Sequence, residues 1–210
     1  MKALLLSIKP EHAIKILNGE KTLELRKSVP NGYKGWVYVY VTKGKPYLWS
    51  YGRIKENSNW EWETIYQLTQ PYHARFSDAL NGTIPFRFWF DEYDKYNPLY
   101  FENTGIKELN YLVDGEQRDK MCLEDEEINN YGKGKDLYAW HIKNLDIFSE
   151  PMKLGEFTTT QIPNNAIIEK SSEGMPYFYI KERRSWHMYF SYLTKAPQSY
   201  MYVYVKEEMK

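Results

Sequence analysis

The segment Trp36-Val37-Tyr38-Val39-Tyr40-Val41 alternates bulky aromatic and aliphatic side chains and carries no charge on either side. Alternation at period two is the mark of a β-strand, and a strand apolar on both faces needs cover on both. A chain built around it must therefore stack material above and below one sheet. Four other stretches read the same way. Residues 3–8 form a first aliphatic strand, 82–90 align Phe86, Phe88 and Phe90, 137–142 make a short strand, and 200–205 set Tyr200, Tyr202 and Tyr204 against aliphatic neighbours. Such a set with few helices predicts an α+β fold, mainly β, whose sheet curves or closes to hide its edges.

Between the first two strands, Pro10 suits the first position of a helix, Ala13, Ile14 and Leu17 fall on one face, and Gly19 is placed to end it in a left-handed turn. Residues 22–27 then alternate, with Leu23 and Leu25 inward and Thr22, Glu24 and Arg26 on a polar face. The stretches 45–80 and 156–192 lack a clean period and read as insertions in a single domain spanning 1–210. The acidic block 114–130 reads as a solvated helix and loop.

The 210 residues carry 28 Lys plus Arg and 28 Asp plus Glu, so affinity for nucleic acid through overall charge is excluded and any such site is a local patch. A single cysteine, Cys122, excludes an internal disulfide and points to a reducing compartment. The apolar run 3–6 is too short for a signal peptide or a membrane span, so the expectation is a soluble, cytoplasmic protein with no membrane partner.

Chemistry concentrates around the first strand, helix and second strand, in Ser7-Ile8-Lys9-Pro10 and Gly19-Glu20-Lys21-Thr22-Leu23-Glu24-Leu25-Arg26-Lys27. Lys9 and Lys21 are placed to converge on the Thr22, Glu24 and Arg26 face, giving cations around one carboxylate. Arg26 would supply a planar fork and Lys21 a movable point charge for a phosphate or a base edge. The competing reading is that Glu24 and Arg26 simply pair with each other or with Lys9.

These two motifs, S-I-K-P followed by G-E-K-T-x-E-L-R-K, resemble the ASCH family. The segments 130–142, 146–151 and 196–200 are similar to late segments of longer bacterial and phage members, so the resemblance covers roughly 1–43, 82–98, 120–157 and 193–205. It implies a PUA-like closed or pseudo-closed β-barrel with peripheral helices, and a cleft beside the first helix that binds RNA or a modified nucleotide. Some members release acetyl from N4-acetylcytidine through a lysine, a threonine three residues later and a distant glutamate. Lys21 matches the lysine. Glu24 occupies the nucleophile position, where a carboxylate does not replace a hydroxyl, and Thr22 is the one nearby substitute.

Three functions therefore stand at this stage: RNA or nucleotide binding, with DNA as an alternative; a nucleotide-processing hydrolase or metal-independent ribonuclease using Lys21, Glu24 and Thr22; and a protein-interaction module through the Tyr- and Trp-rich insertions. Lys9, Arg26 and Lys27 are binding candidates. Lys133 and Lys135, in a Gly-Lys-Gly-Lys turn, are placed to approach a phosphate backbone. Tyr38 and Tyr200 are candidates for base stacking, and Gln198 and Ser199 match a motif of the resembled family. His12, His73, His141 and His187 form no metal-ligand spacing, so each is expected to be structural or exposed, with no metal and no cofactor. Arg183 and Arg184, with Trp186, would add to a basic rim.

Overall fold

A computed structural model describes residues 1–55, 61–69, 79–103, 106–159, 166–170, 176–182, 185–190 and 192–205. His73, Arg183 and Arg184 lie outside the described residues, as do the side chains of Trp186 and His187.

The doubly apolar segment does form a central strand. Strands β1 (Lys2–Ile8) and β3 (Gly35–Val41) run parallel, joined through helix α1 (Pro10–Leu17) and strand β2 (Leu23–Arg26). Strand β4 (Tyr47–Ile54) pairs with β5 (Trp62–Thr69) in a hairpin within the first insertion, and the hairpin packs against α1. Strand β6 (Ile84–Phe90) continues the main sheet, β7 (Tyr93–Tyr96) enters a second one, and β8 (Leu99–Asn103) pairs with β9 (Ile106–Asn110). Helices α2 (Gly115–Met121) and α3 (Asp125–Gly132) precede β10 (Leu137–His141), β11 (Lys143–Met152) and β12 (Phe157–Thr159). A three-stranded antiparallel unit, β13 (Ala166–Lys170), β14 (Pro176–Glu182) and β15 (Ser185–Phe190), comes before the last strand, β16 (Tyr200–Val205).

The main sheet has the order β11-β6-β3-β1-β16-β12, and the second sheet the order β2-β10-β7. Alternation along β1 and β3 divides the core as the side-chain pattern requires. Leu4, Leu6, Ile8, Val37, Val39 and Val41 pack with Ala13, Ile16 and Leu17 of α1, while Ala3, Leu5, Tyr38 and Tyr40 pack on the other side with Ile84, Phe157 and Val203. The fold is thus α+β and mainly β.

Of the expected closed or pseudo-closed barrel, the closed form is corrected: among the described residues no ladder joins the two edges of the main sheet. The six-stranded sheet is open, with β11 and β12 at its two edges. Curvature nevertheless brings both edges over one residue: the Tyr38 ring lies 6.0 Å from Phe148 of β11 and 5.2 Å from Phe157 of β12. Aromatic side chains, rather than a last ladder of hydrogen bonds, cover that face. Arg87 fixes the arrangement, its guanidinium 4.2 Å over Trp36, donating 2.8 Å bonds to the Tyr38 hydroxyl and to Asp146 of β11.

The acids of the 114–130 block are exposed, as expected, but the block forms two helices rather than a helix and a loop, with several of its acids at helix starts, where the exposed N–H groups favour them. Asp114 accepts a bond from the Gln117 amide, and Glu127 accepts one from the Glu124 amide. Cys122 and Lys133 end the two helices in the left-handed region, each at φ 51°. Met121 and Ile128 bury against Leu23, Leu25, Leu137 and Ala139, so the helices cover one face of the second sheet. Tyr111 seats the end of α3, its hydroxyl donating to Lys135 O at 2.7 Å and accepting from Gly134 N at 3.1 Å. A side chain at Gly132 would overlap that hydroxyl. Gly132→Ala should therefore cost roughly 1 to 3 kcal/mol, checked by denaturant unfolding; an unchanged midpoint would contradict this seating.

Candidate functional site

The second strand places Glu24 and Arg26 on the face opposite Leu23 and Leu25, as its alternation predicts. Glu24 is the centre of the cluster. One carboxylate oxygen lies 2.8 Å from the Arg26 guanidinium and the other 3.4 Å from the Lys21 ammonium. Lys21 also donates a 2.6 Å bond to Met121 O at the end of α2, and Lys15 donates a 3.2 Å bond to Cys122 O beside it. Two cations thus meet the carbonyl end of one helix, where the helix dipole favours positive charge. Arg26 reaches back across the fold to donate to Ser7 O at 2.8 Å.

Burial grades the three side chains. Lys21 is 1% exposed, Glu24 7% and Arg26 11%, so Arg26 is the outermost member. Burial alone would raise the Glu24 pKa, but Arg26 and then Lys21 and His12 outweigh it and hold the carboxyl below its ordinary value. Glu24 is therefore ionised at neutral pH, not a base poised near neutrality. His12, on α1, is pushed down from 6.5 by burial, which outweighs the raising effect of Glu24 and is reinforced by Lys21 and Lys15. The cluster therefore holds two cations and one anion around a neutral imidazole. Among the described residues, Arg26 Nε and His12 Nδ1 are buried without a hydrogen-bond partner.

Tyrosines border the cluster. Tyr131, in the last turn of α3 and 38% exposed, lies close enough to Arg26 and Glu24 to feel both charges, and the Lys27 ammonium sits 4.8 Å over its ring. Tyr200 packs against Trp140 at 5.2 Å with the rings inclined at 58°, and the Trp140 indole donates to Ser28 O at 3.3 Å. The loop before it is tied to β1: Ser7 N donates to Ser199 O at 2.9 Å, and the Ser7 hydroxyl to Pro197 O at 2.6 Å. The motifs around Ser7, Lys21 and Ser199 are therefore neighbours in space.

Other candidates stand differently. Lys9 is exposed at the N-cap of α1 and makes no ion pair with Glu24 among the described residues. Thr22 is exposed just before β2, its backbone bonded to Lys120 O and Ile142 N, whereas Lys21 is enclosed. Tyr38 is a correction: at 3% exposure, held between Phe148 and Phe157, it is core and offers no face to a base. Lys133 and Lys135 are exposed in the turn that follows α3, and Gln198 is exposed in the last loop. His141 bonds Asp94 at 2.9 Å, on the far side of the second sheet from Glu24. Among the described residues no three His, Cys, Asp or Glu side chains gather as a metal site, and no helix is long and apolar enough to cross a membrane. His12 and Tyr131 are the members the sequence reading missed. The i,i+3 placement of His12 relative to Lys9, on the motif's own helix, was the available signal for the first; nothing local marked the second.

A hollow of about 710 Å³ lies between the β4–β5 hairpin and the β6 and β11 edge, lined by uncharged residues including Tyr51, Tyr66, Leu80 and Phe148. It shares no residue with the Glu24 cluster.

No family model matches the chain, and no curated protein matches it. Among solved structures, it is similar to the crystal structure of ASCH from Zymomonas mobilis, with 14% identity and a TM-score of 0.42 over 72% of this chain and 73% of that one. It is also similar to two single-substitution variants of that protein, at 13% identity and TM-scores of 0.40, over 73% and 72% of this chain and 77% and 74% of theirs.

Two expectations follow for the cluster itself. Lys21→Ala would leave Glu24 short of a partner in a closed site and should cost roughly 3 to 5 kcal/mol, read by denaturant unfolding; a loss under 1 kcal/mol would mean that the pair is solvated. Acidification should also destabilise the fold. An unfolded histidine binds a proton as pH falls below 6.5 while folded His12 stays neutral, and folded Glu24 resists protonation below its ordinary range. The stability each group contributes is therefore present at neutral pH and lost on the acid side. Thermal unfolding of His12→Asn should fall less steeply between pH 7.5 and 5 than that of the unaltered protein, and parallel curves would contradict this.

Proposed function

We propose that the chain is an ASCH-type domain that binds RNA or a modified nucleotide, with Arg26 as the ligand-facing member of the Glu24 cluster. The supporting observation is the graded burial of an ion cluster with one surplus positive charge. Lys21 is committed to Met121 O and Glu24, so the surplus falls to Arg26, which stands at the border with Lys27 and the Tyr131 ring. A guanidinium beside an accessible aromatic ring suits a phosphate with its base: the fork takes the anion and the ring takes the face of the base. The motif resemblance around Lys9, Lys21 and Arg26 supports the same ligand class.

This reading assigns Lys21 and Glu24 to pre-organising Arg26 rather than to bond making. Glu24 and Ser7 O both hold the Nη2 of Arg26, so little side-chain freedom is lost on binding. Lys9, Lys133, Lys135 and Gln198 are exposed polar groups available to the flanking backbone, and the setting proposed is the cytoplasm.

Binding of single-stranded RNA, followed by fluorescence anisotropy across a salt series, tests the proposal. The affinity should fall with salt, and Arg26→Lys, which keeps the charge but loses the fork, should weaken binding about ten-fold or more. Lys27→Gln, at an exposed position, should lower the salt slope by about 0.7, the value of one phosphate contact on a single strand. Binding unaffected by both substitutions would remove the site from this role.

A further inference from the structure

The face of the second sheet that carries Glu24 and Arg26 extends beyond them. In the ladder, Arg26 lies opposite Tyr138, which lies opposite Lys95, and Glu24 lies opposite Trp140, which lies opposite Tyr93. Directly paired residues project from the same face, so these six side chains form two rows across three strands. The second row starts closed and ends open. Trp140 is fully buried on Phe90 and Tyr200, whereas Tyr93 is 45% exposed and meets the half-buried Tyr138 edge to face at 5.6 Å. The Lys95 ammonium stands 5.9 Å over the Tyr138 ring. Its 2.8 Å bond to Asp136 joins two groups that are each more than 40% exposed, an ion pair of the kind that yields readily to another anion.

Resting on the nucleic-acid reading above, we infer that Tyr138, Tyr93 and Lys95 form a stacking platform that carries the nucleotides next to the one held at Arg26. The ligand is then a single strand of several nucleotides rather than a lone nucleotide. The spacing supports this. Arg26 and Lys95 are two strands apart, about 10 Å, so a nucleotide gripped at Arg26 leaves Tyr93 and Lys95 for its neighbour. Aromatic rings presented on a sheet face accept any base because every base has a π-face, and an ammonium beside them meets the connecting phosphate. A duplex would not serve, since its bases are already stacked. Tyr131 and Lys27 repeat the ring-and-ammonium pairing next to Arg26 on the α3 side.

The test is anisotropy with a labelled eight-nucleotide single-stranded RNA of mixed sequence, using Tyr93→Ala, Lys95→Gln and Arg26→Lys. Tyr93 and Lys95 are exposed enough for their variants to fold, and a circular dichroism melt checks this. The platform predicts about a ten-fold weaker affinity for Tyr93→Ala and a salt slope lower by about 0.7 for Lys95→Gln. Octamer binding that responds to Arg26→Lys but to neither Tyr93→Ala nor Lys95→Gln would overturn the platform and leave the Arg26 site standing. No octamer binding by the unaltered protein would overturn both.

Discussion

A carboxylate enclosed at 7% exposure determines how the rest of this site is built. Taking Glu24 out of water would cost several kcal/mol if it stood alone, and the fold answers with a cation on each oxygen. Each of those cations is bound to a different part of the molecule: Lys21 to the last carbonyl region of α2, Arg26 to the end of β1 at Ser7. One buried charge thereby ties the second sheet to the helices on one side and to the main sheet on the other. It also explains why a short four-residue strand holds its place between larger elements.

On the proposed reading, the same arrangement separates two duties within one group of residues. Lys21 is spent inside the fold, and Arg26 is left at the border with a fixed orientation and a surplus charge. Preorganisation of this kind favours binding because the desolvation and ordering are completed when the chain folds. His12 belongs to the interior of the same cluster, where burial keeps it neutral and avoids a third positive charge beside Lys21.

Much of the frame was legible in the chain. The alternation of Trp36 to Val41 led directly to a strand covered on both faces, and the Pro10 to Gly19 helix forms with its left-handed end, Gly19 having φ 76°. The polar face of Glu24 and Arg26 was also readable from period two. What escaped was set by contacts distant in sequence. Met121 lies 100 residues from Lys21, and nothing local tells Lys21 that a helix end will consume it. Tyr38 has the same local pattern as an exposed stacking residue, and only the curvature that brings Phe148 and Phe157 over it makes it core. The β4–β5 and β8–β9 hairpins were missed because their faces are mixed in polarity, with Trp62, Tyr100 and Phe101 exposed. Without a continuous buried face, period two gives no signal.

The measurement that goes most directly to the division between a structural lysine and a ligand-facing arginine is a nitrogen-15 NMR titration of the protein with single-stranded RNA. The account predicts that the Arg26 Nε–H resonance and the amides around Lys27, Tyr131 and Tyr138 shift progressively, while the amides of the β4–β5 hairpin stay fixed. Shifts confined to that hairpin, with Arg26 unmoved, would contradict it.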